Sequence, residues 1–203
     1  MKKYMKIIKD GIIFDNPVLI QVIGICSSLA VTNNMTNSLI MGVALMFSTA
    51  FSSLLISLLK DVTPKHIRMV VQVFVISFFV IIVDIVLRAY LPEVSKTLGA
   101  YVGLIITNCI IMGRAEGFAI SNKPLPSFVD GLAAGFGYTL VLLAVSFFRE
   151  ILGFGSIFGL RIMPAGFTPW TMMVMPPGAF FILPIIMWVV YNSVKKKQEG
   201  GAK

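Results

Sequence analysis

Charge is scarce in this sequence: 13% of its 203 residues are charged, and Asp and Glu together number nine. A soluble domain needs more polar surface than that, so a water-exposed globule is excluded. Histidine occurs once, at His66, and there is no HExxH, no GxSxG, no phosphate loop and no GxGxxG after a strand. Zinc hydrolysis, serine hydrolysis and nucleotide binding therefore have no residues to rest on. Cysteine is limited to Cys26 and Cys109. Positive charge is more plentiful, at +8 net, but it gathers at the ends of apolar runs without interleaved aromatics. That pattern belongs to membrane topology and not to a nucleic-acid surface. Lys2, Lys3, Lys6 and Lys9 lead into Asp10, Asp15 and Asn16 instead of an apolar core with a small-residue cleavage site, so no cleaved leader is expected.

Apolar residues dominate, at 57% hydrophobic and a mean hydropathy of +0.91. They fall into runs at Val18–Val31, Leu39–Leu59, Met69–Leu91, Leu98–Gly113, Phe128–Phe148 and Trp170–Tyr191. Four of these approach or exceed the ~20 residues that cross ~30 Å of hydrocarbon as a helix. The first and fourth have 14 and 16 residues and are interrupted, one by Gly24, the other by Gly99, Gly103, Thr107 and Asn108. Each predicts a half-helix whose crossing is completed by irregular backbone, which is tolerated only where protein covers it or a cavity is lined. The expected architecture is an all-α membrane protein, a single integral membrane domain over residues 1–203 with six transmembrane segments. A cytoplasmic N-terminus then places 13 of the 17 Lys and Arg inside and leaves Arg88, Lys96, Arg149 and Arg161 outside. The positive-inside rule thus predicts that both termini are cytoplasmic. Gly153–Pro169 is expected along the outer surface, and Lys195–Lys203 as a short solvated tail.

The two halves resemble each other. Gly42 to Lys60-Asp61 and Gly131 to Arg149-Glu150 both run 18 residues from glycine to basic residue, with an acid next, and Phe47 and Phe136 fall in register. Repeat one would cover about 12–92 and repeat two about 97–193, each a broken segment followed by two full spans. Three crossings per half force the second half into the opposite orientation, which is an inverted-topology repeat.

Cys26 and Cys109 lie in the two broken segments, 83 residues apart. In an inverted repeat they would face each other across a pseudo-twofold axis near the bilayer midplane. Three readings stand for the pair. They are small hydrophobes in apolar surroundings, or a disulfide, which mid-membrane burial disfavours, or metal ligands. A two-iron cluster usually takes four thiolates. On that third reading a second chain with its own two broken helices must supply the other pair, and the cluster would sit at the interface.

The remaining polar residues of the apolar runs invite simpler accounts. Asp84 and Arg88 are four apart, share a helix face and predict a local pair near the outer surface. Arg114 and Glu116 close the fourth segment on the cytoplasmic side, as a solvated helix end or as functional groups. Asp130, with Ser127, is expected to open the fifth helix, where a carboxylate offsets the helix dipole. His66, after Thr63-Pro64-Lys65, reads as an inert loop residue.

The stretch Gly103-Leu-Ile-Ile-Thr-Asn-Cys-Ile-Ile-Met-Gly-Arg-Ala-Glu-Gly-Phe-Ala119 resembles the signature of the paired homologous membrane subunits of the sodium-translocating NADH:quinone reductase and the related Rnf complex. Asp15-Asn-Pro-Val, Gly24-Ile-Cys-Ser-Ser-Leu-Ala-Val-Thr32, Asp130-Gly-Leu and Phe147-Phe-Arg-Glu150 agree with it, so the resemblance covers nearly the whole chain. Val83-Asp-Ile-Val-Leu-Arg-Ala-Tyr90 and Phe158-Gly are most similar to the D-type subunits of the quinone reductase, with the E-type subunit of Rnf close behind. The resemblance implies a multi-pass subunit of a six-subunit complex in the bacterial inner membrane. It also implies an intramembrane [2Fe-2S] centre shared with a homologous E-type subunit, with Cys26 and Cys109 as this chain's ligands. NADH oxidation and the flavins would lie on other subunits, with sodium export coupled to electron flow toward quinone. Helix termini or Asn108 would then be placed to adjust the potential of such a centre. The rival of a different class is a secondary transporter with structural cysteines, since inverted repeats and broken helices also build midplane substrate sites.

Overall fold

The computed structural model describes residues 18, 21, 23–90, 92–154, 156–157, 160–161 and 175–200. The N-terminal lysines, the Asp15-Asn-Pro stretch, most of 153–169 and the start of the last apolar run at Trp170 lie outside the described residues. The first described helix, α1 (Ile25–Val31), is short because Gly24 precedes it at φ 83, ψ 18. That left-handed backbone is open to glycine and costly for a residue with a Cβ. Then come α2 (Met35–Leu59), α3 (Arg68–Tyr90) and α4 (Pro92–Ile106). The chain breaks at Thr107 and Asn108 and resumes as α5 (Cys109–Arg114), which runs on into a π-helical turn over Ala115–Ala119. Next is the 31-residue α6 (Pro124–Phe154), which opens on a proline that suits the first helical position because it has no N–H to leave unpaired. A two-residue antiparallel ladder joins β1 (Ser156–Ile157) to β2 (Leu160–Arg161), and α7 (Pro176–Gly200) is the last described element.

The described structure is thus helical apart from that small ladder. Among the described residues, four stretches are long and apolar enough to cross a membrane: Met35–Leu59, Arg68–Tyr90, Tyr101–Ala119, which contains the break, and Pro124–Gly153. Gly178–Asn192 of α7 adds a shorter apolar helix. Large apolar side chains such as Phe74, Phe78, Ile81 and Ile85 of α3 stand exposed, which a chain in water could not sustain and one in lipid or against a partner can.

The centre of the molecule is the crossing of α2 and α6. Small residues let the two backbones approach, which is how helices associate where solvent exclusion gives no drive. A Cβ on Gly42 would meet Thr139 Cγ2 at 2.6 Å, one on Gly135 would meet Met46 Cα at 2.5 Å, and one on Gly131 would meet Ala50 Cα at 2.9 Å. As the residue number rises along α2 its partner's number falls along α6, so the two helices run antiparallel. Met41 and Leu45 of α2 and Leu142 and Val145 of α6 fill the same core with Ile110 and Ile111 of α5. Helix α3 packs on α2, and α4 packs on α3.

Candidate functional site: two half-helices meeting head to head

Helices α1 and α5 open with Ile25-Cys26 and with Cys109, so each cysteine stands in the first turn of a half-helix. Both are free thiols, and both are exposed on the protein. Their neighbours are buried and bonded to each other. Ser27, next to Cys26, receives the Asn108 Nδ2 hydrogen at 3.0 Å, and Asn108 is next to Cys109. Asn108 also caps α5, its Oδ1 accepting from Ile110 N at 3.0 Å. Ser27 Oγ lies 2.6 Å from the hydroxyl of Tyr138 and donates to Gly24 O at 3.1 Å. A Cβ on Gly24 would overlap Ile110 Cδ1 at 2.4 Å, a side-chain end that would have to turn away, so it is the left-handed backbone that calls for glycine here.

The far ends of the half-helices point to opposite ends of the α2–α6 pair. The end of α1 is held by Arg149, one turn short of the end of α6: Nη1 reaches Thr32 Oγ1 at 2.6 Å and Leu29 O at 3.3 Å, and Nη2 reaches Met175 O at 3.1 Å. Beside it, Glu150 Oε2 accepts the Met35 N–H at 2.9 Å and so satisfies a first-turn donor of α2. The loop after the π-helical turn is held by Lys60, at the end of α2, whose Nζ reaches Asn122 O at 3.1 Å, while Ser57 Oγ donates to the same oxygen at 2.8 Å. Two half-helices therefore enter from opposite ends and meet at their N-termini. Tyr138 marks the level of that meeting, one residue from the midpoint of α6.

The other polar residues divide between expectation and correction. Asp84 and Arg88 pair at 2.9 Å within α3, and His66 is exposed in its loop, both as the sequence predicts. Asp130 does not open a helix. Because α6 starts at Pro124, Asp130 lies six residues inside it, buried, with Arg114 of α5 at 3.6 Å. Arg114 is accordingly no solvated helix end, whereas Glu116 is half exposed and binds Arg68 and, at 2.9 Å, Gln72. Ser27, Tyr138, Thr32, Arg149 and Glu150 were not singled out by sequence reasoning as parts of this site. The available signal was the pair of hydroxyl residues flanking Cys26 and Val31 and a charged pair near the end of an apolar run.

The donor set suits half of a two-iron site. Two thiols stand at the surface where a second chain can reach them, and among the described residues no group of three His, Cys, Asp or Glu gathers to form a complete metal site within this chain. The apolar helices and the opposed half-helices define a multi-pass membrane subunit. The chain belongs to the Rnf-Nqr family: the family model described as "Rnf-Nqr subunit, membrane protein" matches residues 4–187. It is 44% identical over 194 residues to the D subunit of the Na(+)-translocating NADH-quinone reductase of Photobacterium profundum, with 93% of this chain and 92% of the relative covered. The protein of the same name from Pseudoalteromonas translucida (strain TAC 125) is 45% identical, with 98% of each covered. That from Chlamydia trachomatis serovar L2 is also 45% identical, with 93% of each covered.

Proposed function

We propose that this chain is the D-type membrane subunit of a six-subunit sodium-translocating NADH:quinone reductase in the bacterial inner membrane. Cys26 and Cys109 supply two of the four thiolates of a [2Fe-2S] centre, and the homologous E-type subunit supplies the other two. The observation that carries this reading is the head-to-head meeting of two cysteine-bearing half-helices level with the middle of α6. A two-iron cluster held there supplies a one-electron carrier midway through an insulating layer of ~30 Å. The chain's own task is to hold two thiolates at one height, facing outward, on backbone braced from both ends by Arg149 and Lys60. NADH oxidation and flavin chemistry then fall to other subunits, and sodium export is coupled to the electron flow toward quinone.

The reading includes six spans in two inverted repeats. Support comes from the α2–α6 crossing, where a shift of 89 residues carries the contact Gly42–Thr139 onto Gly131–Ala50 and sets Met46 against its own counterpart, Gly135. The braces follow the same shift to within one residue: Lys60 maps onto Arg149, and Asn122, which Lys60 reaches, maps onto Asn33, next to the Thr32 that Arg149 reaches. Burial removes Arg114 and Arg149 from the loop charges, and the bias survives, with 12 of the other 15 basic residues on the cytoplasmic side.

Iron and acid-labile sulfide analysis of the complex copurified with its partners tests the assignment, with Cys26→Ala and Cys109→Ala as variants. Each is expected to remove the cluster and stop electron transfer from NADH to quinone, because no His, Asp or Glu adjoins either cysteine to replace a lost thiolate. A packing role for the thiols predicts a loss on the order of 1 kcal/mol and full activity. An assembled complex that carries either variant and still reduces quinone at the normal rate eliminates the cluster reading and favours a transporter-like subunit with structural cysteines. The Rnf alternative is disfavoured by the names of these three relatives, each a quinone reductase subunit.

A further inference from the structure

We propose that Tyr138, Ser27 and Asn108 are positioning residues that set the separation and mutual angle of the Cys26 and Cys109 thiols; the inference rests on the cluster reading above. The hydrogen-bond directions follow from the valences of one oxygen. Ser27 Oγ has three neighbours: Gly24 O at 3.1 Å, Asn108 Nδ2 at 3.0 Å and Tyr138 OH at 2.6 Å. A carbonyl oxygen only accepts and an amide nitrogen only donates. Ser27 therefore gives its single proton to Gly24, and its two lone pairs take one hydrogen from Asn108 and one from Tyr138. The orientation of the Asn108 amide is fixed independently, because its Oδ1 accepts from Ile110 N. Tyr138 is thus a donor, and the network has one arrangement of protons.

Each member acts on a residue adjacent to a cysteine or on the frame. Ser27 follows Cys26, and Asn108 precedes Cys109. Tyr138 is buried one helical turn after Gly135, the point where α6 is pressed against Met46 of α2. The tyrosine therefore ties the junction of two short half-helices to the most tightly packed part of the molecule. Without its hydroxyl, the junction keeps one side-chain bond between α1 and the Asn108 cap, and Ser27 keeps an unfilled lone pair in a buried site. Ligands carried on two separate half-helices need such a tie if the geometry at the metal is to be held, since partners behind metal ligands set both orientation and potential.

Two variants separate positioning from bulk stability. Tyr138→Phe keeps the ring and removes the donor. Asn108→Asp keeps an acceptor for Ile110 and removes the hydrogen given to Ser27. Cys26 and Cys109 are the only cysteines of the chain, so bis-maleimides of graded length report their separation in the full-length protein purified in detergent, with no iron needed. The unmodified protein should show one preferred linker length. Each variant should spread the distribution, with the yield at that length falling about fivefold, the population factor of one lost hydrogen bond of ordinary net strength. In the assembled complex, an EPR-monitored redox titration should show a shifted midpoint with iron content retained, a change that a purely structural role would not make. If Tyr138→Phe does not accumulate, the linker profile of Asn108→Asp decides the question, because its added carboxylate moves the midpoint by charge alone. Linker profiles and midpoints equal to those of the unmodified protein overturn the positioning role. A complex without any iron centre refutes the cluster reading instead, and the linker profiles still decide whether the network positions the thiols.

Discussion

Replacing Gly135 by alanine should separate the two central helices, and the size of the effect can be worked from the contacts. The added Cβ would sit 2.5 Å from Met46 Cα and 2.9 Å from both Met46 Cβ and Cγ. Carbon atoms rest at about 3.5–4.0 Å, so relief requires a displacement on the order of 1 Å. A side-chain tip could turn away; a backbone Cα cannot, so α2 and α6 must move apart as bodies. Overpacking of this kind costs about 1–3 kcal/mol. For a chain of this length each kcal/mol corresponds to about 2–4 °C in the unfolding midpoint, which puts the expected fall near ~6 °C. Gly103→Ala is the matched control, because nothing lies within 4 Å of its Cβ position on α4 and alanine favours a helix by about 0.5–1 kcal/mol. Thermal unfolding of both variants in the same detergent, followed by intrinsic fluorescence, is the assay. The displacement should also stretch the 2.6 Å contact of Tyr138 with Ser27, three residues along α6, so the thiol cross-linking profile should broaden in Gly135→Ala. Equal midpoints for the two variants would refute the claim that the crossing is held at its closest approach by glycine.

Arg149→Ala removes at least the three hydrogen bonds that tie Leu29, Thr32 and Met175 to α6 and should lower stability by about 3 kcal/mol, whereas Lys60→Ala, at a half-exposed site, should cost less than about 1 kcal/mol. Comparison of membrane accumulation and unfolding midpoints checks this, and equal losses would contradict the unequal bracing. Lys3→Cys or Lys203→Cys, introduced with both native cysteines replaced by alanine, should react with an impermeant maleimide in inverted vesicles and not in intact cells; labelling of intact cells would reverse the orientation.

Much of the fold is legible in the sequence because membrane spans are long, apolar and local. The runs at Leu39–Leu59 and Phe128–Phe148, and Met69–Tyr90 of the third run, lie inside observed helices, and the weak point at Thr107-Asn108 is where the fourth segment breaks. Gly42 and Gly131, matched by spacing, both prove to be points of close helix approach. What the sequence hides is contact over distance. Asp130 looks like a helix opener because Ser127 stands just before it, yet Pro124 starts the helix earlier and turns the carboxylate inward to Arg114. Tyr138 is one aromatic among many until the fold brings it, 111 positions away in sequence, to Ser27. Arg149 counts as an outer charge by topology, but α6 continues past it and buries it against Thr32.

The meeting of Met46 with Gly135 bears on how such a chain could arise. Two identical halves related by a twofold axis must present the same residue from each side at the axis itself. Two methionines there would collide, and two glycines would leave a hollow. On the inverted-repeat reading, a bulky residue seated on a bare one is open only to halves that have diverged in sequence. The same freedom appears at the helix openings: Met35 has an N–H that occupies Glu150, while its counterpart, Pro124, has none, and the matching acid, Asp61, stands exposed to water. On that reading, divergence turns a symmetric contact into a lock and its key, and it frees Asp61 from the helix-opening contact that Glu150 makes.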